Sequence, residues 1–265
     1  MWARERCKRY SGTDIAAVPP SFLILFAHMS LGPWTETGSQ PGRRVWKRSL
    51  GTTEAVFYWD SVFNGTADTV MHVHLKVVRP EDAAIYACEN VRRAWASVKR
   101  RFPLLAAEVE EGEPLRFVVR EENVTELRNE DITFTTIPSP VAADHFLKNL
   151  LDAPRPLSST LLARVYTLRR MDTPLHFHVV LTVAHCITDG YSTSTILRTL
   201  FQTMACAYDP PPLSIAARLD MGLPLESRIH GRGVPLARQR WYRAIGYALH
   251  AVRLRRFSVS NSMRV

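Results

Sequence analysis

The spacing of apolar positions changes repeatedly between residues 70 and 208, and each change marks an element. Val70 to Val78 alternates, with Val70, His72 and His74 on one face and Met71, Val73 and Leu75 on the other, which predicts a strand. From residue 80 the period lengthens. Ile85, Cys88, Val91, Trp95, Val98 and Phe102 recur at steps of three or four and predict one helix over 80–102. Pro80 suits its first turn, Glu81 and Asp82 favour its N-terminal dipole, Lys99, Arg100 and Arg101 complement its C-terminal end, and Pro103 stops it. Leu105 to Val109 and Pro114 to Arg120, turning at Gly112, predict a hairpin. A short strand over Asp131 to Ile137 and a short helix over Val141 to Leu151 follow, the latter closed by Pro154 and Pro156. Leu161 to Leu168 and Leu175 to Val183 are β-type runs, read as an antiparallel pair in the core, and Ile196 to Tyr208 is helix-like.

The two ends read differently. Glycine and proline punctuate residues 1–44 too often for a long element, so an irregular N-terminal arm is expected. Pro210-Pro211-Pro212 ends the last helix and opens an extended linker over 210–234. Beyond it, Trp241, Ile245, Ala248, Leu249 and Val252 form an apolar stripe among arginines, a basic amphipathic tail over 235–265. The main domain is placed at 45–209.

Composition adds a core and removes a partner. With 46% apolar and 22% charged residues, the chain is an ordinary globular protein. Its net charge of +9 belongs to the tail: residues 227–265 hold nine arginines and no acids, and the rest balances. Nucleic acid is therefore not an expected partner of the domain. The tail is read as docked or unordered in preference to lying on an anionic membrane surface. Cys7, Cys88, Cys186 and Cys206 lack metal-type spacing and are read as reduced thiols of a cytoplasmic protein. Phe22 to Ala27 is too short to span a bilayer, and Pro19-Pro20 argues against a signal peptide. Asn64-Gly65-Thr66 and Asn123-Val124-Thr125 fit the glycosylation pattern and are expected to be unused.

The candidate chemistry lies at His185, at the end of the second core run and four residues before Asp189-Gly190. A neutral imidazole at a strand end is suited to general-base work near neutral pH. Cys186 is adjacent on extended chain, so its side chain points away from that of His185 and it is read as a buried thiol. His72-x-His74 is read as exposed or hydrogen-bonded histidines and not as a metal pair, and His176-x-His178 lies on the opposite parity to His185. Gly190-Tyr191-Ser192 lacks the last glycine of a nucleophile elbow, and no glycine-rich phosphate loop occurs. No bound cofactor or metal is expected.

His185-Cys186-Ile187-Thr188-Asp189-Gly190 matches a His-x-x-x-Asp-Gly signature. Arg101-Phe102-Pro103-x-Leu105 follows the long helix, and Arg48-x-Leu50-x-x-x-Glu54 opens the domain. In this order the three resemble the acyltransferases related to chloramphenicol acetyltransferase, the plant BAHD acyltransferases and the condensation domains of peptide synthetases, the opening being of a fungal type. The resemblance covers roughly residues 46–225. It implies an α/β fold, an α+β two-layer sandwich with a mixed, largely antiparallel sheet packed on helices. It makes His185 the general base. Asp189 becomes a structural residue whose carboxylate turns from the site and pairs with an arginine, with Arg164 on the preceding strand as candidate partner. Gly190 would let the loop turn tightly and the acyl carrier come close. Ala184 stands where many condensation domains carry a further histidine. The implied co-substrate is an acyl-CoA, acetyl-CoA in particular, and the acceptor a hydroxyl of a small secondary metabolite. Such proteins are about twice this length and place the histidine in a tunnel between two halves, and the Asp-Phe-Gly-Trp-Gly motif of the second half has no counterpart here. The chain is thus expected to complete its site by self-association or to be a truncated, non-catalytic remnant or binding module.

Overall fold

The strands fall into two four-stranded sheets. Elements are numbered in chain order in a computed structural model that describes residues 33–38, 40, 42–206, 213–224 and 241. All of these but Trp241 belong to one compact unit, Leu31–Gly231. Most of the expected arm, much of the linker and the basic tail lie outside the described residues.

The smaller sheet joins β1 (Thr35–Thr37), β2 (Val45–Ser49), β5 (Arg116–Arg120) and β4 (Ala107–Glu110) in the order β1-β2-β5-β4, every pair antiparallel. The larger sheet has the order β3-β8-β7-β6: β3 (Asp68–Lys76), β8 (His176–Ala184), β7 (Ala163–Arg170) and β6 (Ile132–Ile137). Its pairs are antiparallel except β6 with β7. The hairpin and the core pair fall where the apolar runs place them, and the class is α/β with mixed, largely antiparallel sheets.

Strand β8 is interior to its sheet and buried along almost its whole length, which is why it reads as a continuous apolar run. Its two faces serve two cores. Phe177, Val179, Leu181 and Val183 meet Met71, Val73 and Leu75 of β3 on one face, under α2 (Cys88–Arg101) and α5 (Gly190–Ala205), with Trp95, Val98, Ile196 and Leu200 filling the space. Val180 meets Tyr166 and Leu168 on the other face, under α4 (Pro140–Asp152), which contributes Ala143 and Phe146. Helices therefore cover both faces of the larger sheet.

Four local features depart from the sequence pattern. The helix expected over 80–102 is two pieces, a 3-10 segment Pro80–Tyr86 and α2, because Ala87 takes an extended ψ of 142°. Lys99 is not part of an exposed basic cluster. It is wholly buried, donates to Asp131 at 2.7 Å and to the Glu126 carbonyl at 3.2 Å, and joins α2 to the segment before β6. A helix α1 (Thr52–Asn64) fills the stretch before β3, started by Glu54, which accepts from the Gly51 N–H at 2.6 Å, and ended at Gly65 in the left-handed conformation. Short helices α3 (Glu121–Thr125) and α6 (Ile215–Met221) are also present, the second within the stretch read as extended linker. Ser214 caps α6 by accepting from the Ala217 N–H, a serine signal masked by the prolines before it.

Candidate active site

Three pieces of chain meet around His185. The first is β8 itself, which delivers the histidine one residue beyond its C-terminal end, Ala184. The second is the start of α5. Asp189 is its N-cap, and the carboxylate accepts from the Ser192 N–H at 2.7 Å. That bond holds the Asp189 carboxyl below its ordinary range. The third is α1, whose Phe57 ring stacks on the imidazole.

The His185 Nδ1 lies in hydrogen-bond contact with the Thr188 carbonyl oxygen. A carbonyl only accepts, so Nδ1 carries a proton, and in the neutral ring Nε2 keeps the lone pair. The carbonyl sits in a fixed loop: the Thr188 and Thr193 hydroxyls meet at 3.1 Å, and Thr193 donates its own to the Asp189 carbonyl at 2.7 Å. The ring is half-buried and lines a cavity of about 530 Å³, together with Phe57, Phe102, Leu104, Ile196 and Leu219 among others. The Arg-Phe-Pro-x-Leu stretch, Arg101 to Leu105, thus forms part of the wall facing the histidine.

The opening motif acts at one remove. Arg48 on β2 grips Glu54 with two parallel hydrogen bonds of 2.9 and 2.8 Å, buried between the Trp34 and Phe117 rings. Glu54 in turn fixes the start of the helix that carries Phe57. Sequence reasoning placed Arg48 and Glu54 but missed Phe57. Its only signal was position: three residues beyond Glu54, on the same side of a helix.

One expected detail fails. Arg164 does not pair with Asp189. It lies on the α4 side of the sheet, donates to Thr133 at 2.9 Å and stands over the Tyr166 ring, while Asp189 caps α5. The strand parity that puts Tyr166 on that face puts Arg164 there too. Gly190 opens α5 with a φ that is not positive, and a Cβ there would meet no atom within 4 Å.

The neighbouring groups have other roles. Cys186 is buried, and burial pushes its thiol pKa well above the ordinary value, so it is no nucleophile. Asp68, opposite Ala184 across the sheet, is held by Arg155 at 2.5 and 3.1 Å. Cys88, Cys186 and Cys206 are free thiols. Among the described residues no group of three or more His, Cys, Asp or Glu side chains is placed to hold a metal.

The four histidines set aside in the sequence meet far from this cavity. His72 and His178 approach at 2.8 Å between ring nitrogens, and His74 and His176 at 2.9 Å. The rings of His72 and His178 are nearly parallel, only 10° apart, with centroids 5.1 Å apart. At that separation the nitrogens meet edge to edge as an N–H···N bond. The His74 and His178 rings stack at 4.5 Å, joining the two pairs into one column. Pairing across β3 and β8, which the separate His-x-His patterns do not reveal, brings them together.

No family model and no curated protein matches the sequence. Solved structures do match. The trichothecene 15-O-acetyltransferase TRI3 from Fusarium sporotrichioides superposes with a TM-score of 0.53 at 15% identity, over 66% of this chain and 38% of that one. The tallysomycin biosynthesis protein TlmII superposes with a TM-score of 0.53 at 16% identity, over 74% of this chain and 46% of that one. The described residues share the fold of these two structures. This chain spans less than half the length of either structure it matches. No helix among the described residues is long and apolar enough to cross a membrane.

Proposed function

We propose that this chain is an O-acyltransferase moving an acyl group, acetyl in particular, from a CoA thioester to a hydroxyl of a small secondary metabolite, with His185 as general base. One observation carries the reading: the imidazole, with Nδ1 against the Thr188 carbonyl oxygen, lines a cavity of about 530 Å³. Nε2 takes the hydroxyl proton as the acceptor oxygen attacks the thioester carbonyl. The tetrahedral intermediate collapses, the C–S bond breaks, and the imidazolium returns the proton to the departing thiolate. The acyltransferase-like fold supports the reading.

A second reading rests on coverage. Because the chain spans under half of the matched structures, a binding module of the same fold is the alternative. Self-association that brings another surface against His185 separates the two. The test is acyl transfer from acetyl-CoA to a panel of small alcohols by the wild type and by His185→Ala, at protein concentrations on both sides of any monomer–oligomer transition. Turnover that depends on His185 and rises with assembly supports the enzyme. Equal rates for the two proteins remove His185 as the base.

A further inference from the structure

Thr193 is wholly buried at the first turn of α5, on the face that Ile196 and Leu197 turn to the core. A hydroxyl in such a place costs free energy unless it is satisfied, and this one is satisfied on both counts. It donates to the Asp189 carbonyl at 2.7 Å and meets the Thr188 hydroxyl at 3.1 Å. Its single proton is spent on Asp189, so Thr188 is the donor to it. Ser194, Thr195, Thr199 and Thr203 also donate to the carbonyl four residues back along α5. Thr193 differs in adding a contact to Thr188, in the chain that precedes the helix.

These two bonds straddle one peptide unit. The Thr188 carbonyl that faces His185 Nδ1 belongs to the unit joining Thr188 to Asp189. Thr193 holds the Thr188 side chain before this unit and the Asp189 carbonyl after it, where its own N–H adds a bond of 2.8 Å. Without the hydroxyl the unit is free to turn about its flanking bonds, and Nδ1 then loses its acceptor. Thr193 itself lies behind the cavity wall: Thr188, Ser192 and Ile196 line it and Thr193 does not. We infer that Thr193 is a positioning residue, which clamps the Thr188–Asp189 peptide and so fixes the proton on His185 Nδ1, keeping Nε2 clear of it in the neutral ring. Its part in turnover rests on the reading of His185 as the base. The proton position stands apart from that reading.

Nitrogen NMR of the histidine rings in the labelled full chain reads the proton position directly, at a pH where the rings are neutral, with His185→Gln identifying the His185 signals. Thermal melting checks each variant. In the wild type His185 shows a protonated Nδ1 and a bare Nε2. Thr193→Val mixes the two tautomers, and Thr193→Ser, which keeps the hydroxyl, restores the wild-type pattern. A wild-type ring protonated on Nε2 overturns the inference, as does an unchanged pattern in Thr193→Val or a failure of Thr193→Ser to restore it. Should Thr193→Val not fold, Thr188→Val opens the same hydroxyl contact from the other side: mixed tautomers support the clamp and an unchanged ring overturns it. In acyl transfer Thr193→Val lowers kcat about tenfold and leaves KM near the wild type, as a displaced reacting group behind an intact cavity wall does. A loss confined to KM overturns the positioning role. The expected tautomer pattern in a protein that transfers no acyl group sinks the proposed reaction and leaves the clamp standing.

Discussion

The phenyl ring of Phe57 and the imidazole of His185 stack with centroids 4.2 Å apart and planes inclined by 29°. The Thr188 carbonyl fixes one edge of the imidazole, and Phe57 fixes its face. Phe57→Ala is expected to free the ring to tilt and to lower turnover about ten- to a hundredfold, as small misplacements of a reacting group do. Phe57→Tyr keeps the stacking surface and should keep most of the rate. Steady-state kinetics of the two variants provide the check, and an unchanged rate in Phe57→Ala would show that the carbonyl alone orients the base.

His185→Ala and Asp189→Ala should separate chemistry from architecture. The first is expected to cost turnover, by about two to four powers of ten, with little change in melting temperature. The second removes a helix cap and should cost about 1 kcal/mol of stability. Asp189→Asn is the sharper variant. Asparagine caps as well as aspartate, so it should melt close to the wild type. A large loss in Asp189→Asn would mean the charge itself is needed, as an ion pair with arginine requires.

Lys99 and Asp131 form a buried ion pair at 2.7 Å, and burial pushes the Lys99 ammonium pKa down despite its partner. Asp131→Ala strands that cation and is expected to cost about 3–5 kcal/mol. Replacing both, as Lys99→Met with Asp131→Leu, should recover most of the loss, because desolvation then no longer opposes folding. Chemical denaturation of the single and double variants measures this. Additive losses would contradict it.

Three histidines of the column, His72, His176 and His178, set an acid limit. Burial pushes His178 down to about 4, and His72 and His176 are lowered as well, chiefly by desolvation. Arg170 and Lys76 add to the depression at one end, while Asp144 from α4 works against it at His72 and His178. The folded state favours the neutral rings of His72, His176 and His178, while the unfolded chain protonates them near 6.5. Below that pH the unfolded state binds more protons. Stability is therefore full above about 6.5 and falls as pH drops from 6.5 toward 4. Melting temperatures across this window should decline, and His178→Gln should flatten the decline. A flat wild-type profile would falsify the assignment.

Much of the larger sheet was legible because its residues obey simple periods. Val179, Leu181 and Val183 alternate with buried partners on both faces of β8, so the run itself announces an interior strand. His185 was legible because it ends that run beside a helix-capping Asp. What escaped depends on contacts distant in sequence. Lys99 reads as a surface cation until Asp131, 32 residues away, is seen beneath it. Arg164 follows the parity of β7, which places its side chain under α4 and away from the α5 cap. Phe57 is one of several aromatics in α1, and only the packing of that helix on the end of β8 singles it out.

Arg48 belongs to the smaller sheet, yet its grip on Glu54 reaches His185 through a single helix. The seating of the His185 ring is therefore tied to the integrity of a sheet that contributes no strand to it. A chain in which β2 had not yet paired with β5 would present the His185 motif without a seated Phe57. The seat of the His185 ring is thus complete only when both sheets are in place.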